Sequence, residues 1–308
     1  MWGAQTEYGP LKKVLMHRPG EEMEVLAPHN LEAFHFSRMV DLTIFQREFD
    51  NLATALEESG VEVILLTDLL QDEPQALHYI ARRPNMTYTR DLAVVTKGGA
   101  ILMSMCQKGR KGDEWVIGRA MQKLGIPILG RIEPPGILEG GGIEFLSERT
   151  AIVALCDRAN EVAIRQLCDL LLGEYLDEIV MVPTPEGEIH IDGILMIVDR
   201  DLAVAYRPSL EFYPSTLFRA GRSPQYIWLP DFLEERGVEL VETTHRERDM
   251  EFINYITVAP RQVIGYEWAI RTSQEIERRG GKATGIPGGE LVKGNAGPHC
   301  MTCPLLRE

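Results

Sequence analysis

The stretch LEESGVEVILL (residues 56–66) decides the fold, because a similar arrangement occurs four more times along the chain. In each copy, the end of a helix-like segment is followed by a short apolar run. The other copies are QKLGIPILGRI (122–132), EYLDEIVMVP (174–183), EERGVELVETT (234–244) and ERRGGKATGIP (277–287). A repeat of roughly 50 residues indicates a supersecondary unit that cannot bury its apolar face alone.

A second repeat coincides with the first, because each unit carries one chemically reactive polar residue in a predicted hairpin. These residues are Asp91, Glu139, His190, Asn254 and Cys300, which are separated by 48, 51, 64 and 46 residues. Five such units arranged in a ring would bring their hairpins to one axis. Carboxylates, a histidine and a cysteine would then meet in one pocket, which favours the active site of an enzyme.

Predicted strands and helices alternate along the chain, which indicates an α/β fold of repeated ββαβ-type units. Three predicted strands are Met86–Val95, which contains Asp91, Ile191–Val198, which begins directly after His190, and Phe252–Val258, which contains Asn254. The first predicted strand, Lys12–His17, would complete the fifth unit and close the ring, since closure removes open sheet edges. We therefore predict a five-bladed, pseudo-symmetric α/β propeller that occupies residues 1–308 as a single domain.

Composition argues against several classes of partner. The net charge of −14 over 308 residues disfavours nucleic acid and anionic membranes, and it favours a cationic small ligand. No apolar run reaches about 18 residues, and the N-terminal residues show no signal-peptide pattern. Five cysteines, an odd number, indicate reduced thiols and a cytoplasmic location. These observations leave open whether the chain forms a homo-oligomer.

Cys300 and Cys303 allow more than one interpretation, since the Cys-x-x-Cys spacing occurs in zinc sites and in redox dithiols. A structural zinc site would need a second pair of ligands, and the other cysteines, Cys106, Cys156 and Cys168, are widely separated. A redox dithiol would open a helix, whereas here a proline follows the motif. We therefore favour a nucleophilic Cys300 in a glycine-rich loop, and no metal.

His190 is followed two residues later by Asp192. On a strand their side chains would share one face, about 6.6–6.8 Å apart. A single strand histidine is more often structural than catalytic, but the neighbouring aspartate favours a functional role. Asp91 has a simple alternative as an exposed strand-end carboxylate, Glu139 as a turn residue before three glycines, and Asn254 as an ordinary hairpin residue.

Several segments, taken in order, resemble one group of enzymes. They are EYGPLKKVLMHRPG (7–20), GVEV (60–63), NMTYTRD (85–91), EGG (139–141), HID (190–192) and HCMTCP (299–304). The chain is similar to the guanidino-group-modifying enzymes of the pentein fold, a five-bladed α/β propeller, and most similar to arginine deiminases. The resemblance spans essentially the whole chain, and its last motif is the most specific.

This resemblance implies roles for the matching residues. Cys300 is similar to the nucleophile, and His190 to the general acid and base, with Glu139 as its partner. Asp91 and Asp192 resemble the paired carboxylates that bind the substrate guanidinium. Where arginine deiminases bind the α-amino acid end of the substrate, this chain has Asn85, Arg110, Arg158 and, in place of a third arginine, Asn295.

Two further departures from the family pattern accompany Asn295. Gly142 stands where an aspartate usually closes the Glu-Gly-Gly motif. The helical insert that many arginine deiminases carry before the first aspartate motif is also missing, because few residues separate Leu69 from Asn85.

The chemistry of these residue types suits a guanidino substrate. A guanidinium is cationic and a poor electrophile, so two carboxylates would orient it and localise charge on its central carbon, while a thiolate supplies a soft nucleophile. The expected reaction is hydrolysis of L-arginine to L-citrulline and ammonia through a covalent amidino-cysteine, with no metal or organic cofactor. Two alternative activities, those of an amidinotransferase and of an arginine dihydrolase, stay open. A non-catalytic, partner-binding scaffold is a further alternative, but the retained Cys-His-Glu-Asp set argues against it.

Overall fold

The computed structural model describes residues 1–249 and 254–308 and shows an α/β fold. Within these residues the strands fall into five units of one topology, in which an antiparallel pair is joined by a third strand parallel to the middle one. In one unit, β1 (Leu11–Met16) lies between β2 (Glu62–Leu65) and the last strand, β17 (Cys303–Arg307). This confirms the expected pairing of the first strand with the end of the chain.

The other four units follow in chain order. They are β3 (Ala93–Thr96), β4 (Gly99–Leu102) and β5 (Ile128–Arg131); β6 (Ile143–Ser147), β7 (Thr150–Leu155) and β8 (Glu178–Pro183); β9 (Leu195–Asp199), β10 (Leu202–Ala205) and β13 (Glu239–Glu242); and β14 (Ile256–Ala259), β15 (Gln262–Tyr266) and β16 (Lys282–Ile286). A hairpin of β11 (Ser215–Arg219) and β12 (Gln225–Ile227) is inserted after β10 and pairs with β8. This insertion accounts for the separation of 64 residues between His190 and Asn254.

A helix precedes the third strand of each unit. These five helices are α1 (Leu42–Glu58), α4 (Asp113–Lys123), α5 (Glu161–Leu171), α7 (Leu229–Glu234) and α9 (Ile270–Arg278). The connecting α-helices are α2 (Leu66–Leu69), α3 (Pro74–Ile80), α6 (Arg207–Leu210) and α8 (His245–Asp249). Short 3-10 helices are Glu21–Val25, Glu32–Phe34, Pro84–Thr87, Thr89–Leu92, Lys108–Arg110, Gly140–Gly142, Ile191–Gly193 and Leu291–Gly294. Among the described residues, no helix is both long and apolar enough to cross a membrane.

The repeated helix-to-strand junction has a physical cause in how four of the five helices end. In each, a glycine with positive φ follows the helix, and its N–H bonds to the carbonyl three residues earlier. The next N–H bonds to the carbonyl five residues earlier, which completes a Schellman motif. Only glycine adopts this left-handed conformation without steric cost. The four glycines are Gly60, Gly125, Gly237 and Gly280, with φ of 82°, 68°, 78° and 79°.

The longest helix, α1, shows how these units pack. Asp41 caps its N-terminus, because the Asp41 side chain accepts a hydrogen bond of 3.1 Å from the Ile44 N–H. Phe45, Phe49 and Leu52 then recur at helical spacing and are fully buried against the sheets. The apolar face of the helix therefore covers the strands, and the sheets in turn hold the turns that carry the reactive residues.

Two of the predicted strands were wrong at the N-terminal ends that carry the reactive residues. In place of a continuous strand Met86–Val95, two 3-10 helices precede β3, and in place of Ile191–Val198 a 3-10 turn precedes β9. Tertiary hydrogen bonds that local propensity does not include stabilise the first of these turns, since Thr87 and Thr89 donate to the carbonyls of His17 and Leu15 at 2.9 and 3.0 Å. The first part of the predicted strand Phe252–Val258 lies outside the described residues, and β14 begins at Ile256.

Candidate active site

The five reactive residues occupy equivalent places in the five units, just before the strand that opens each antiparallel pair. Four of them, all except Glu139, line one cavity of about 360 Å³, and Glu139 lies directly behind His190. Seven further residues that line this cavity and bear on its chemistry are His35, Asn85, Tyr88, Arg110, Arg158, Asp192 and Asn295. All ten candidate site residues from the sequence, the five reactive residues together with Asp192, Asn85, Arg110, Arg158 and Asn295, therefore lie in or directly against one site.

The two aspartates face each other across a backbone that carries no side chain. A Cβ atom built on Gly141 would lie 3.1 Å from Asp91 Oδ1, 3.1 Å from Asp192 Oδ2 and 2.6 Å from His190 Nδ1. The three polar atoms thus converge on a point that only a glycine leaves open. Two carboxylates with a gap between them match a planar cation that donates hydrogen bonds on two edges.

His190 and Glu139 form a buried pair. His190 Nε2 lies 2.9 Å from Glu139 Oε2, which also accepts a hydrogen bond of 3.2 Å from Arg158 Nη1. Burial by itself would lower the pKa of His190, but the charges of Asp91 and Glu139 outweigh it and raise that pKa. Burial likewise opposes ionisation of Glu139, yet the hydrogen bond to His190 and the charge of Arg158 hold its pKa well below the usual range. The pair therefore favours the protonated imidazole of His190 together with the ionised carboxylate of Glu139.

The sequence placed His190 and Asp192 on one face of a strand, and that prediction was wrong. His190 is extended and Asp192 lies within the 3-10 turn Ile191–Gly193. The turn brings the carboxylate beside the ring, with 3.9 Å between His190 Nδ1 and Asp192 Oδ1. The strand spacing would have kept them farther apart, so the turn is what allows both groups to reach one substrate atom.

Cys300 lies beside Asp192, and Asn254 connects the two segments that carry them. The Cys300 thiol contacts Asp192 Oδ2 at 3.7 Å, while Asn254 accepts a hydrogen bond from the Cys300 N–H at 3.3 Å and donates to the Asp192 carbonyl at 3.2 Å. The second cysteine of the motif is elsewhere, since Cys303 packs in the core on β17 and burial raises its pKa to about 12. The two thiols therefore do not form a working pair.

Arg110 is engaged with the protein itself. Its Nη1 is hydrogen-bonded to Asp91 Oδ2, and its Nη2 donates to the carbonyl of Tyr88 at 3.2 Å. The side chain is buried, and Nε faces Asp113 at 3.8 Å. Arg110 thus fixes one oxygen of Asp91 and leaves the other, Oδ1, without a hydrogen-bond partner. Its assignment as a ligand of the substrate's amino acid end stays a prediction.

Asn85 and Arg158 each keep one polar atom without a partner among residues 1–249 and 254–308. Asn85 donates from Nδ2 to the carbonyl of Phe34 at 2.8 Å, while its Oδ1 is buried and makes no hydrogen bond. Arg158 uses Nη1 for Glu139, and its Nη2 is buried without a hydrogen bond. Buried polar atoms are normally paired, so an acceptor and a donor of cavity-lining residues that lack a partner within the described part of the chain are available to a ligand.

Sequence reasoning missed His35, which lines the cavity from the segment 31–41 that precedes α1. Burial and the nearby charge of Arg158 lower the pKa of His35 to about 4, so its imidazole is neutral at pH 7. The Asn295 amide donates to the His35 carbonyl at 2.8 Å, and both residues have positive φ. No local sequence pattern identifies His35 as a site residue, because its position depends on contacts with residues far along the chain. Asn254 was noted in the sequence, but its bridging role was not.

A metal ion fits this site poorly. Asp91, Glu139 and His190 place their ligating atoms within 4.8 Å of one another, which is close enough for a shared cation. However, Asp91 is already paired with Arg110, and Glu139 with Arg158. A divalent cation would have to compete with these two buried guanidinium groups for the carboxylates.

Comparison with known proteins agrees with this geometry. The family model described as arginine deiminase matches residues 73–307. The arginine deiminase of Rhodococcus erythropolis is 23% identical, and the alignment covers 99% of this chain and 97% of that protein. The arginine deiminase of Rhodococcus jostii is 24% identical with the same coverage. The first of these alignments runs over 406 residues against 308 here, as expected if the relatives carry insertions.

Solved structures show the same fold. The dimethylarginine dimethylaminohydrolase of Pseudomonas aeruginosa in complex with citrulline superposes with a TM-score of 0.72 at 18% identity, covering 96% of this chain and all of that chain. The N-terminal domain of ArgZ, a cyanobacterial arginine dihydrolase bound to product, superposes with a TM-score of 0.73 at 15% identity and covers 96% of both chains. At such identities the likeness establishes the fold and leaves the substrate to the residues of the site.

Proposed function

The chain belongs to the arginine deiminase family within the pentein superfamily of guanidino-modifying enzymes, and it is an amidine-hydrolysing enzyme; from this premise we propose that it hydrolyses L-arginine to L-citrulline and ammonia. We also propose that the five units are the blades of one propeller-like ring and act as a single catalytic domain. One observation carries the choice of substrate. The cavity-lining residues Asp91, Asn85 and Arg158 each keep one buried atom unpaired: two acceptors and one donor. They complement a guanidinium, an ammonium and a carboxylate.

The guanidinium is the end that reacts. In the proposed complex it lies between Asp91 and Asp192 above Gly141, where charge-assisted hydrogen bonds orient its central carbon. Asp192 then has a cationic partner, so its negative charge no longer disfavours ionisation of the neighbouring Cys300 thiol. The substrate thereby promotes formation of its own nucleophile.

The first half-reaction forms the covalent intermediate. The Cys300 thiol loses its proton to solvent as the guanidinium binds, and the resulting thiolate bonds to the central carbon and gives a tetrahedral adduct. His190, protonated because Asp91 and Glu139 raise its pKa against the effect of burial, donates that proton to the leaving nitrogen. The C–N bond breaks, ammonia departs, and an amidino-thioether remains on Cys300.

The second half-reaction returns the enzyme to its starting state. The now neutral His190 accepts a proton from water, whose oxygen attacks the amidino carbon. The C–S bond breaks as the carbonyl forms, the departing sulfur takes up the hydroxyl proton of the tetrahedral intermediate and becomes a thiol again, and a ureido product is released. Glu139 keeps the imidazole oriented in both steps, since its hydrogen bond to Nε2 leaves Nδ1 facing the carboxylates.

The amino acid end would be held at the far side of the cavity. Asn85 Oδ1 accepts from the ammonium and Arg158 Nη2 donates to the carboxylate in this proposal. Arg110 contributes indirectly by holding Asp91. The neutral imidazole of His35 adds a polar group without adding positive charge.

Product analysis tests the proposal directly. We expect incubation with L-arginine to yield citrulline and ammonia in equal amounts, and no product from the Cys300→Ala variant. Ornithine with two equivalents of ammonia would instead identify an arginine dihydrolase. Product formed only when an amine is added would identify an amidinotransferase. Absence of any turnover of L-arginine, agmatine or simpler guanidino acids would overturn the assignment.

A further inference from the structure

A second histidine lies directly behind Asp192, on the side away from the cavity. His299 is fully buried, and its Nδ1 lies 2.8 Å from Asp192 Oδ2. This is the same oxygen that the Cys300 thiol contacts at 3.7 Å. The reaction scheme above uses Asp192 and Cys300 but gives His299 no part.

We infer that His299 is a positioning residue, which donates its Nδ1 proton to Asp192 and so fixes the carboxylate between the nucleophile and the substrate guanidinium. This inference deepens the proposed function and rests on it. The direction of the hydrogen bond follows from the chemistry of the partner. An ionised carboxylate only accepts hydrogen bonds, so the ring nitrogen that faces it must carry the proton.

The ionisation of Asp192 agrees with this arrangement. Burial alone would raise the pKa of Asp192, but the hydrogen bond from His299, with smaller contributions from the charges of His190 and Arg90, lowers it. Loss of the His299 donor would therefore move the Asp192 pKa upward. The negative charge that binds a guanidinium would then be lost at a higher pH as the solution is acidified.

The opposite edge of the ring makes no comparable contact. His299 Nε2 lies 3.6 Å from Glu7 and 3.5 Å from Glu144, and it has no hydrogen-bond partner. Against the effect of burial, the charge of Arg90 holds the pKa of Glu7 well below the usual range, and Glu7 therefore stays ionised. Burial and the charge of Glu7 raise the pKa of Glu144 well above the usual range.

Arg307 is the remaining charged group of this cluster, 4.0 Å from Glu7. Arg90 also pairs with Glu7, at 2.8 Å, so the Glu7 carboxylate at this edge of the ring is engaged by arginine. The ring is thus held by one strong contact, at Nδ1. Substitutions can therefore test the contacts at the two edges of the imidazole independently.

Two substitutions distinguish the edges. The amide nitrogen of asparagine lies as many bonds from Cα as Nδ1 of histidine, whereas that of glutamine matches Nε2. His299→Asn therefore preserves the donor to Asp192, and His299→Gln and His299→Ala remove it. Glu144→Gln changes only the far edge and serves as the matched control.

The readout does not depend on turnover. Chloroacetamidine is cationic and chloroacetamide is its neutral analogue; the Cys300 sulfur forms an S–C bond to either and displaces chloride. The ratio of the two labelling rates of the Cys300 peptide, followed by mass spectrometry, measures how well the carboxylates hold a cation. Because an amidine donates to a carboxylate in the same way as a guanidinium, Asp192 is tested even if L-arginine is not the substrate.

We expect His299→Gln and His299→Ala to lower this ratio by about 10- to 100-fold at pH 7, as for loss of a hydrogen bond to a charged group. As the solution is acidified, the ratio of labelling rates in these two variants should begin to fall at a higher pH than in the unmodified protein. His299→Asn and Glu144→Gln should stay within about 3-fold of the unmodified protein. The inference is overturned if His299→Gln keeps the ratio, or if His299→Asn loses as much as His299→Gln. Failure of the proposed function alone would leave the labelling pattern intact and abolish citrulline formation.

Discussion

The side-chain amide of Asn295 donates a hydrogen bond of 2.8 Å to the backbone carbonyl of His35. The adjacent carbonyl, of Phe34, accepts from the amide of Asn85 at 2.8 Å. Two site residues that the resemblance assigns to substrate binding therefore hold the segment 31–37 over the cavity. Asn295 stands where the family has a third arginine, and in this chain it holds that segment in place.

The first prediction concerns this fastening. Asn295→Gly removes the amide and tolerates the positive φ of 52° without strain. We expect KM for the substrate to rise by about 2- to 10-fold, the effect of one neutral hydrogen bond, with kcat nearly unchanged. Steady-state kinetics and hydrogen exchange of residues 31–37 measure the two consequences. An unchanged KM would show that the segment is held by its other contacts.

The second prediction tests the gap between the carboxylates. In Gly141→Ala the new methyl would lie 2.6 Å from His190 Nδ1, so we expect kcat/KM to fall by at least about 100-fold, as misplacement by 1 Å at a reacting centre does. Gly142→Ala is the matched control, because its methyl would meet only Leu138 at 3.3 Å. Equal losses in both variants would mean that the turn 140–142 has simply been distorted.

The third prediction separates the two cysteines of the motif. Cys300→Ala should abolish turnover while leaving the free energy of unfolding nearly unchanged. Cys303→Ala should keep its activity but lose about 1 kcal/mol of stability, because it removes a fully buried sulfur from the core. Product formation and urea unfolding provide the measurements. An inactive Cys303→Ala protein with normal stability would restore the dithiol interpretation.

The fourth prediction is a change in pH dependence. Glu139 raises the pKa of His190, second to Asp91 among the charges that oppose the effect of burial. The protonated imidazole that acts as acid is present below this raised pKa and is lost as pH rises through it. Glu139→Gln removes the charge, so the alkaline limb of the kcat profile should move to lower pH. An alkaline limb at the same pH would exclude Glu139 as the histidine's partner.

The fifth prediction concerns the amino acid end of the substrate. L-Arginine should be preferred over agmatine, which lacks the carboxylate, by at least about 100-fold in kcat/KM. Arg158→Gln should narrow that preference, because the unpaired Nη2 of Arg158 is the donor assigned to the carboxylate. Arg110→Gln should instead lower the values for both substrates and leave their ratio unchanged, because Arg110 acts through Asp91. If Arg110→Gln instead lowered the ratio of kcat/KM for L-arginine to kcat/KM for agmatine, Arg110 would be a direct ligand of the substrate carboxylate.

Much of the site was predictable because its residues are attached to a repeated local structure. The glycines that end α1, α4, α7 and α9 produce the same hydrogen bonds in each unit. Glu139, Asn254 and Cys300 follow their junction glycines after 14, 17 and 20 residues, and Asp91 after 31, so their convergence could be expected from the order of the units but not from one fixed spacing. The turns themselves were not predicted, since Thr87 donates to a backbone carbonyl 70 residues earlier, and Thr89 to carbonyls 74 residues earlier and 212 residues later.

The sequence by itself determined the order of the units, the identity of the reactive residues and their resemblance to arginine deiminases, because helix ends and the tendency to form a strand depend on neighbouring residues. Only the tertiary structure decided the partners of those side chains: Arg110 with Asp91, Asn295 with the His35 carbonyl, and His299 with Asp192. The last two pairs are separated by 260 and 107 residues along the chain. Packing of the units, and no local pattern, brings such groups within hydrogen-bonding distance.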